Sequence, residues 1–285
     1  MEKREIKHVN KPVAATFLLL LLFWTSPSSS YGEVPRRIIS LAPSITEILF
    51  SLGLGDRIVG VTTFCDYPEE AKKKPKVGGM WTPSLEAILN LKPDLVAVST
   101  NGNHKEFEER LRSMGIRTHV FTARRLSELP GDLREAGRIF GADKRAEALA
   151  KEIETTLVRF KRPAPLRKKR VFFIVWPDPL VAAGPETLID DVLNLLGAEN
   201  VAGKARVSYP KYSIEELIRQ APDIIVIGDM REGIQKVSAG LLKRLQSVPA
   251  VKNNKVFYIG DNLYRLGPRT IKGIEELSRL IGEKP

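Results

Sequence analysis

The sequence predicts an α/β protein of two similar lobes, each with a mostly parallel sheet, joined by a single long α-helix. Residues Ser84–Val98 and Ser213–Ile227 match without a gap at a constant offset of 129, sharing Ser, Glu, Pro and Asp. The apolar run after each Pro-Asp is too short and too continuous for an amphipathic helix, which predicts parallel strands covered on both faces. A single large sheet is the alternative architecture.

The long helix is predicted between the two repeats, at Asp143–Arg162. Its apolar residues recur at steps of three and four, which places them on one face of a helix about 30 Å long. Gly141 and Pro163 are typical of residues that bound a helix. The predicted organisation is a signal peptide at 1–32, an N-terminal α/β lobe at 33–126, linking helices at 127–168 with the long helix at 143–162, and a C-terminal α/β lobe at 169–285.

The first 32 residues have the pattern of a cleavable signal peptide. Four basic residues between Lys3 and Lys11 precede an apolar run of 12 residues from Val13 to Trp24. That run is shorter than the roughly 20 residues that span a bilayer, and small and polar residues follow it. We therefore expect an exported, periplasmic protein. Removal of 1–32 lowers the formal net charge from +11 to +9.

Composition and motif content argue against several classes of function. Charges of both signs are interspersed except in the basic stretch Arg159–Arg170, so we expect no nucleic-acid partner. The one cysteine, Cys65, excludes an intramolecular disulfide, and His104 and His119 are too few for a His-rich metal site. No nucleotide-binding or hydrolase motif occurs. We predict a binding protein without enzymatic activity or a resident cofactor. An exported enzyme or chelatase with a metal in the cleft is the alternative.

Loops at the carboxyl ends of strands are the candidate ligand-binding segments, because ligands of open α/β sheets bind there. The pattern Ser44 to Glu47 fits a capping box at the start of the first helix, which predicts a structural role for Glu47. The candidate loops are residues 62–68, 78–83 and 99–103 in the first lobe and 176–179, 207–212 and 260–265 in the second.

Several segments together resemble the periplasmic binding proteins of cobalamin and iron-chelate ABC importers. They are, in order, Arg37–Gly53, Asp66–Pro68, Val77–Glu86 and Leu91–Val96, repeated in part by Tyr212–Leu217 and Ala221–Ile227. The resemblance covers essentially the whole chain after residue 32. It implies a monomer that binds cobalamin or a related corrinoid in a cleft between the lobes. It also implies delivery to an ABC permease dimer with cytoplasmic ATPase subunits. A ferric siderophore or haem is the alternative ligand.

The resemblance implies an aromatic ligand site. Phe64 matches an aromatic residue of the cobalamin-binding members, and Met80 or the adjacent Trp81 matches a tryptophan. Tyr209 matches a tryptophan of the second lobe, and Ser99 stands at a further tryptophan position. Flat aromatic and soft apolar side chains suit the face of a macrocycle.

Polar residues of the family orient the ligand, and the resemblance assigns this role to Asp261 and Arg265. Trp176, in the loop that follows the first strand of the second lobe, completes the predicted set. Haem-binding members have a tyrosine where this chain has Gly79, which disfavours haem. A ferric siderophore stays open, because such sites favour arginine and tyrosine and this chain offers Arg265 and Tyr212.

Glu86 and Glu215 match a pair of surface glutamates, one per lobe, with which family members dock on arginines of the permease. Each is predicted in the first turn of a helix, where a carboxylate also interacts favourably with the helix dipole. Their equivalence at the offset of 129 favours the docking role.

Overall fold

A parallel sheet forms the centre of the N-terminal lobe in a computed structural model, which describes residues 33–100, 102–161, 168–229 and 233–282. The predicted signal peptide and residues 162–167 of the basic stretch lie outside these residues. The elements of this lobe are β1 (Ile38–Ser40), α1 (Pro43–Ser51), β2 (Ile58–Val61), α2 (Glu69–Lys72), α3 (Leu85–Asn90), β3 (Leu95–Ser99), α4 (Lys105–Ser113), β4 (Thr118–Phe121) and α5 (Leu129–Phe140). The strand order is β2-β1-β3-β4, and all three pairings are parallel.

Both faces of this sheet are covered, as the continuous apolar run of β3 predicts. Leu95 and Ala97 belong to one buried cluster, with side chains of α1 and α5. Val96 and Val98 belong to a second cluster, with Ile88 of α3. The two sets alternate because successive residues of a strand point to opposite faces.

The C-terminal lobe repeats this arrangement with one antiparallel edge strand. Its elements are β5 (Arg170–Pro177), β6 (Leu180–Ala182), α7 (Leu188–Leu195), β7 (Glu199–Asn200), α8 (Ile214–Gln220), β8 (Ile224–Gly228), α9 (Ile234–Arg244), α10 (Pro249–Lys252), β9 (Val256–Ile259) and α11 (Thr270–Leu280). The strand order is β6-β5-β8-β9, with β7 paired in parallel to β5 and β6 antiparallel to it. Ile224 and Val226 of β8 face one core cluster, and Ile225 and Ile227 face the other.

The predicted long helix is α6 (Asp143–Phe160), 18 residues or about 27 Å in length. It ends two residues before the predicted boundary. Ala146, Ala150 and Ile153 are buried in the core of the N-terminal lobe, whereas Phe160 is buried in the core of the C-terminal lobe. The helix is therefore part of both hydrophobic cores. The prediction of two α/β lobes joined by one helix is confirmed.

The predicted capping box at the start of α1 is wrong. The helix begins at Pro43, and its N-cap residue is Ala42, which makes no side-chain capping bond. Proline presets the backbone for the first helical position and has no N–H to satisfy, so the helix starts one residue before the expected Ser44 cap. Glu47 is thereby free for a different role, described below.

Candidate functional site

Loops from both lobes enclose a cavity of about 780 Å³. On the N-terminal side the lining follows the carboxyl ends of the strands, and Ser99 and Phe121 are the last residues of β3 and β4. On the C-terminal side it includes the segments 186–188, 208–209 and 264–266. The position is the one at which open α/β sheets bind ligands. The volume falls within the roughly 300–1,000 Å³ of small-molecule sites.

Six of the eight predicted ligand-binding residues lie in the lining of this cavity. They are Phe64, Met80, Trp81, Ser99, Tyr209 and Arg265. They come from loops that are far apart in the sequence. The structure brings them together because each of those loops lies at the same edge of its sheet. Their role in ligand binding stays a prediction.

An aromatic pair forms part of the N-terminal wall. The rings of Phe64 and Trp81 meet edge to face, with centroids 5.6 Å apart. Trp81 is 54 % exposed, whereas Met80 is half-buried against the lobe's core. Both neighbours therefore line the cavity, Trp81 as an exposed ring and Met80 as a packed thioether. Exposed aromatic rings of this kind are available to stack on a flat ligand.

Trp176 and Asp261 are not among the residues that line the cavity. The indole N–H of Trp176 donates to the carbonyl oxygen of Asp178 at 2.6 Å, and its ring packs on the core cluster behind β5. Asp261 accepts two hydrogen bonds from Arg269, at 2.7 and 3.1 Å. Both side chains therefore have structural partners that the sequence pattern did not indicate.

Two tyrosines form the facing C-terminal wall. Tyr209 is 56 % exposed, whereas the hydroxyl of Tyr264 is buried and has no hydrogen-bond partner in the described part of the chain. Burial and the neighbouring Tyr209 raise the pKa of the Tyr264 phenol above its ordinary value. A Cβ atom at Gly228 would lie 1.6 Å from this hydroxyl, so any other residue there would displace the Tyr264 ring. Tyr264 lies in the predicted loop 260–265, but no local pattern distinguishes it from its neighbours.

Arg265 joins the cavity to a buried ionic network between the lobes. Its Nη1 atom donates to Glu47 at 3.0 Å and to Asp66 at 2.6 Å. Arg269 donates to the same glutamate from Nε at 2.9 Å and from Nη2 at 2.8 Å. The side chain of Glu47 is 1 % exposed, so its charge requires these two cations. Its role is to pair with the other lobe, not to cap α1.

The network extends to the edge of the cavity through Asp66 and Tyr67. Partial burial opposes ionisation of Asp66, but the hydrogen bond and charge of Arg265 outweigh it and lower the pKa of that carboxyl. The guanidinium of Arg269 lies 4.5 Å from the ring centroid of Tyr67, a cation–π geometry. The first lobe therefore holds both arginines of the second with two carboxylates and one aromatic face.

Glu86 and Glu215 occupy equivalent places in the two lobes. In α3 the hydroxyl of Ser84 accepts a backbone N–H at 3.2 Å, and in α8 that of Ser213 does so at 3.0 Å. Both glutamates lie exposed in the first turn of their helix. Hydrogen bonds from its own backbone N–H and from Ser213 lower the pKa of Glu215.

An exposed aliphatic side chain follows each glutamate by three residues. Leu89 is 39 % exposed and Ile218 is 37 % exposed, and the spacing places each on the same helix face as its glutamate. The burial pattern of residues 84–90 recurs position by position at 213–219. The sequence repeat thus extends to the exposed surface of the two lobes.

The profile of a family described as periplasmic binding protein matches residues 38–263, which span both lobes. The chain belongs to the periplasmic binding protein family. Together with the relatives below, this match makes it a substrate-binding protein of the ABC importer type, a class that works outside the cytoplasm. Within the described ranges no helix is long and apolar enough to cross a membrane. The same ranges contain no cluster of three or more metal-binding side chains.

Two similar proteins of this family have names of different kinds, one of which gives a ligand. The chain is 31 % identical over 278 residues to a vitamin B12-binding protein of Yersinia pestis, covering 96 % of this chain and 94 % of the relative. It is 34 % identical over 256 residues to an uncharacterized ABC transporter substrate-binding lipoprotein of Bacillus subtilis, YvrC, covering 87 % and 80 %.

Similar solved structures are named for two different ligands. The fold matches the vitamin B12 binding protein BtuF of Vibrio cholerae with a TM-score of 0.77 and 27 % identity, covering 87 % of this chain and 96 % of the other. It matches the haem-binding protein RhuT of a Roseiflexus species with a TM-score of 0.76 and 29 % identity, covering 86 % and 97 %.

Proposed function

We propose that this protein binds cobalamin or a related corrinoid in the interlobe cavity and delivers it to an ABC permease. The observation that carries the proposal is the cavity of about 780 Å³ with exposed aromatic rings on both walls, Phe64 and Trp81 on one and Tyr209 on the other. A flat macrocycle held between them buries apolar area on both faces. The similarity to proteins named for vitamin B12 supports the corrinoid.

Haem or a ferric siderophore is the second candidate ligand. The phenol of Tyr209 lies exposed in the C-terminal wall of the cavity, and tyrosine oxygen is one of the side-chain ligands that hold haem iron in proteins. The similarity to a haem-binding protein favours this alternative as well. In either case the metal chelate is the transported ligand and not a resident cofactor.

Delivery would take place through the two lobes together. Glu86 and Glu215 present one exposed carboxylate on each lobe, at points related by the sequence repeat. Two such charges suit a permease dimer, whose identical subunits would each offer a basic side chain. An exposed ion pair contributes only about 0–1 kcal/mol, so the pair sets orientation more than affinity.

A tryptophan-fluorescence titration tests the ligand assignment. Cyanocobalamin, hemin and a ferric hydroxamate are added in parallel, with correction for their own absorption. We expect saturable one-to-one quenching by cyanocobalamin that survives Trp176→Phe, because Trp81 is the reporter in the cavity. Tyr209→Ala should weaken binding, whereas Val207→Ala in the same loop should not. Saturation by hemin or the ferric hydroxamate alone would favour an iron chelate as the transported ligand. The absence of saturation by all three ligands would contradict the proposed function.

A further inference from the structure

Arg124 and Arg125 are two adjacent cationic residues in the lining of the cavity. They lie side by side in the loop between β4 and α5, and both line the cavity as exposed residues. Within the described part of the chain, neither guanidinium forms a hydrogen bond or an ion pair. Arg265 differs, since Glu47 and Asp66 already occupy its Nη1 atom.

The backbone beneath these two arginines is held in place from both lobes. The carboxylate of Glu128 accepts the backbone N–H groups of Arg124 at 2.8 Å and of Arg125 at 3.2 Å. The next residue, Leu126, is buried in the core of the C-terminal lobe, and its N–H donates to Asp191 of α7 at 3.1 Å. The loop therefore presents the two guanidinium groups from a fixed backbone, which lowers the entropy lost on binding.

The acidic groups that face these arginines are largely engaged by the backbone. Asp132 accepts the N–H groups of Thr122 at 2.8 Å and Ala123 at 2.7 Å, and Glu128 is engaged as described. Glu186, on the other lobe, is the third carboxylate of the lining, and it is exposed. These charges offset part of the positive potential, so recognition depends on the hydrogen-bond donors that the guanidinium groups keep available.

We propose that Arg124 and Arg125 form an anion subsite that binds carboxylate or phosphate groups of the transported metal chelate. This inference rests on the proposed function and narrows its ligand class to chelates that carry such groups at their edge. Each guanidinium offers five N–H donors in a planar fork that matches the two oxygens of a carboxylate or phosphate. The aromatic walls would hold the flat face while the two arginines hold the charged edge.

Two pairs of ligands, in each of which one member lacks the anionic group of the other, test the subsite. Hemin has two propionate carboxylates, which its dimethyl ester lacks. Cyanocobalamin has a phosphate, which dicyanocobinamide lacks along with its nucleotide. Binding of all four is measured by absorbance titration with the protein and with the R124Q/R125Q variant. The R110Q/R112Q variant is the matched control, because it removes two exposed charges from α4 outside the cavity.

The relevant pair is the one, porphyrin or corrinoid, that the unsubstituted protein binds. For the ligand of that pair that carries the anionic group, we expect R124Q/R125Q to raise the Kd at least tenfold. The Kd of its partner should change less than twofold, and R110Q/R112Q should change neither. Dependence on hemin carboxylates or on cobalamin phosphate would identify the source of the anion. Equal Kd values for protein and R124Q/R125Q would overturn the subsite while leaving the proposed function standing. Failure of the unsubstituted protein to bind any of the four would overturn both.

Discussion

The carboxylate of Glu47 on α1 accepts two hydrogen bonds from the guanidinium of Arg269, which immediately precedes α11, at 2.8 and 2.9 Å. The two residues are separated by 222 positions in the chain and belong to different lobes. With Arg265 as a second cationic partner, the buried charge of Glu47 is paired entirely by residues of the other lobe. The lobes are therefore joined both by α6 and by this ionic network.

Substitution of Glu47 tests this network. Glu47→Gln keeps the size of the side chain but removes its charge, which leaves Arg265 and Arg269 without their shared buried partner. We expect the free energy of unfolding to fall by about 3–5 kcal/mol, as for other broken buried ion pairs. Urea denaturation followed by circular dichroism measures it.

The matched control for that measurement is an exposed ion pair. Glu154 of α6 pairs with Arg134 of α5 at 2.6 Å on the surface, so Glu154→Gln should lower the free energy of unfolding far less than Glu47→Gln does. Equal effects of the two substitutions would show that the Glu47 network contributes little to stability.

The lowered pKa of Asp66 predicts how stability depends on pH. Because Arg265 favours the ionised carboxyl in the folded state, the unfolded state binds a proton at higher pH than the folded state does. The stabilisation is complete above the ordinary pKa of about 3.9 and is lost as pH falls through the lower folded value. Asp66→Asn should flatten the fall in stability below about pH 4. Urea midpoints from pH 6 down to pH 3 check this, and parallel curves for both proteins would refute it.

Ligand binding is expected to change the angle between the lobes only slightly. The helix α6 is buried in both cores, and the Glu47 network joins the lobes near the cavity. Small-angle X-ray scattering with and without a saturating ligand should therefore give radii of gyration that agree within error. A marked compaction on binding would mean that the network opens in the free protein.

The repeated surface of α3 and α8 predicts that docking depends on apolar contact as well as on charge. Leu89→Ala and Ile218→Ala should each weaken binding to the permease–ATPase complex by about 1 kcal/mol, because each removes partly exposed apolar area. Glu86→Gln and Glu215→Gln should mainly reduce the salt dependence of the association rate.

Surface plasmon resonance on the complex in nanodiscs measures these docking effects. Val237→Ala, which truncates an exposed aliphatic side chain on α9, is the control for the apolar substitutions. Ligand affinity should be unchanged in all five variants. Equal weakening by Val237→Ala, or loss of ligand affinity, would show that the α3 and α8 surface is not a specific docking site.

Much of the fold could be predicted because its signals are local. Glu86 and Glu215 lie in the first turn of their helices as predicted, and the apolar runs after Pro93 and Pro222 are buried strands. Six of the predicted site residues reach the cavity because parallel strands direct their following loops to one edge. The resemblance to a known family indicated which side chains of those loops are candidates for ligand binding.

The rest depends on contacts that no local pattern encodes. The local pattern from Ser44 to Glu47 fits a capping box, but it is equally compatible with a buried charge that pairs across the lobes. Only the tertiary fold brings Arg265 and Arg269 to Glu47. Trp176 does not line the cavity, because its ring packs on the core behind β5. Arg124 and Arg125 do not differ in local sequence from the chain's other cationic residues, so their place in the cavity required the tertiary structure.

Hydrogen–deuterium exchange with and without cyanocobalamin or hemin tests whether one ligand occupies the cavity between the lobes. We expect protection in loops of both lobes, at residues 62–67 and 78–83 on one side and 207–212 and 261–266 on the other. Exposed segments such as α4 should exchange at unchanged rates. Saturating binding that protects only one lobe, or neither set of loops, would contradict the account.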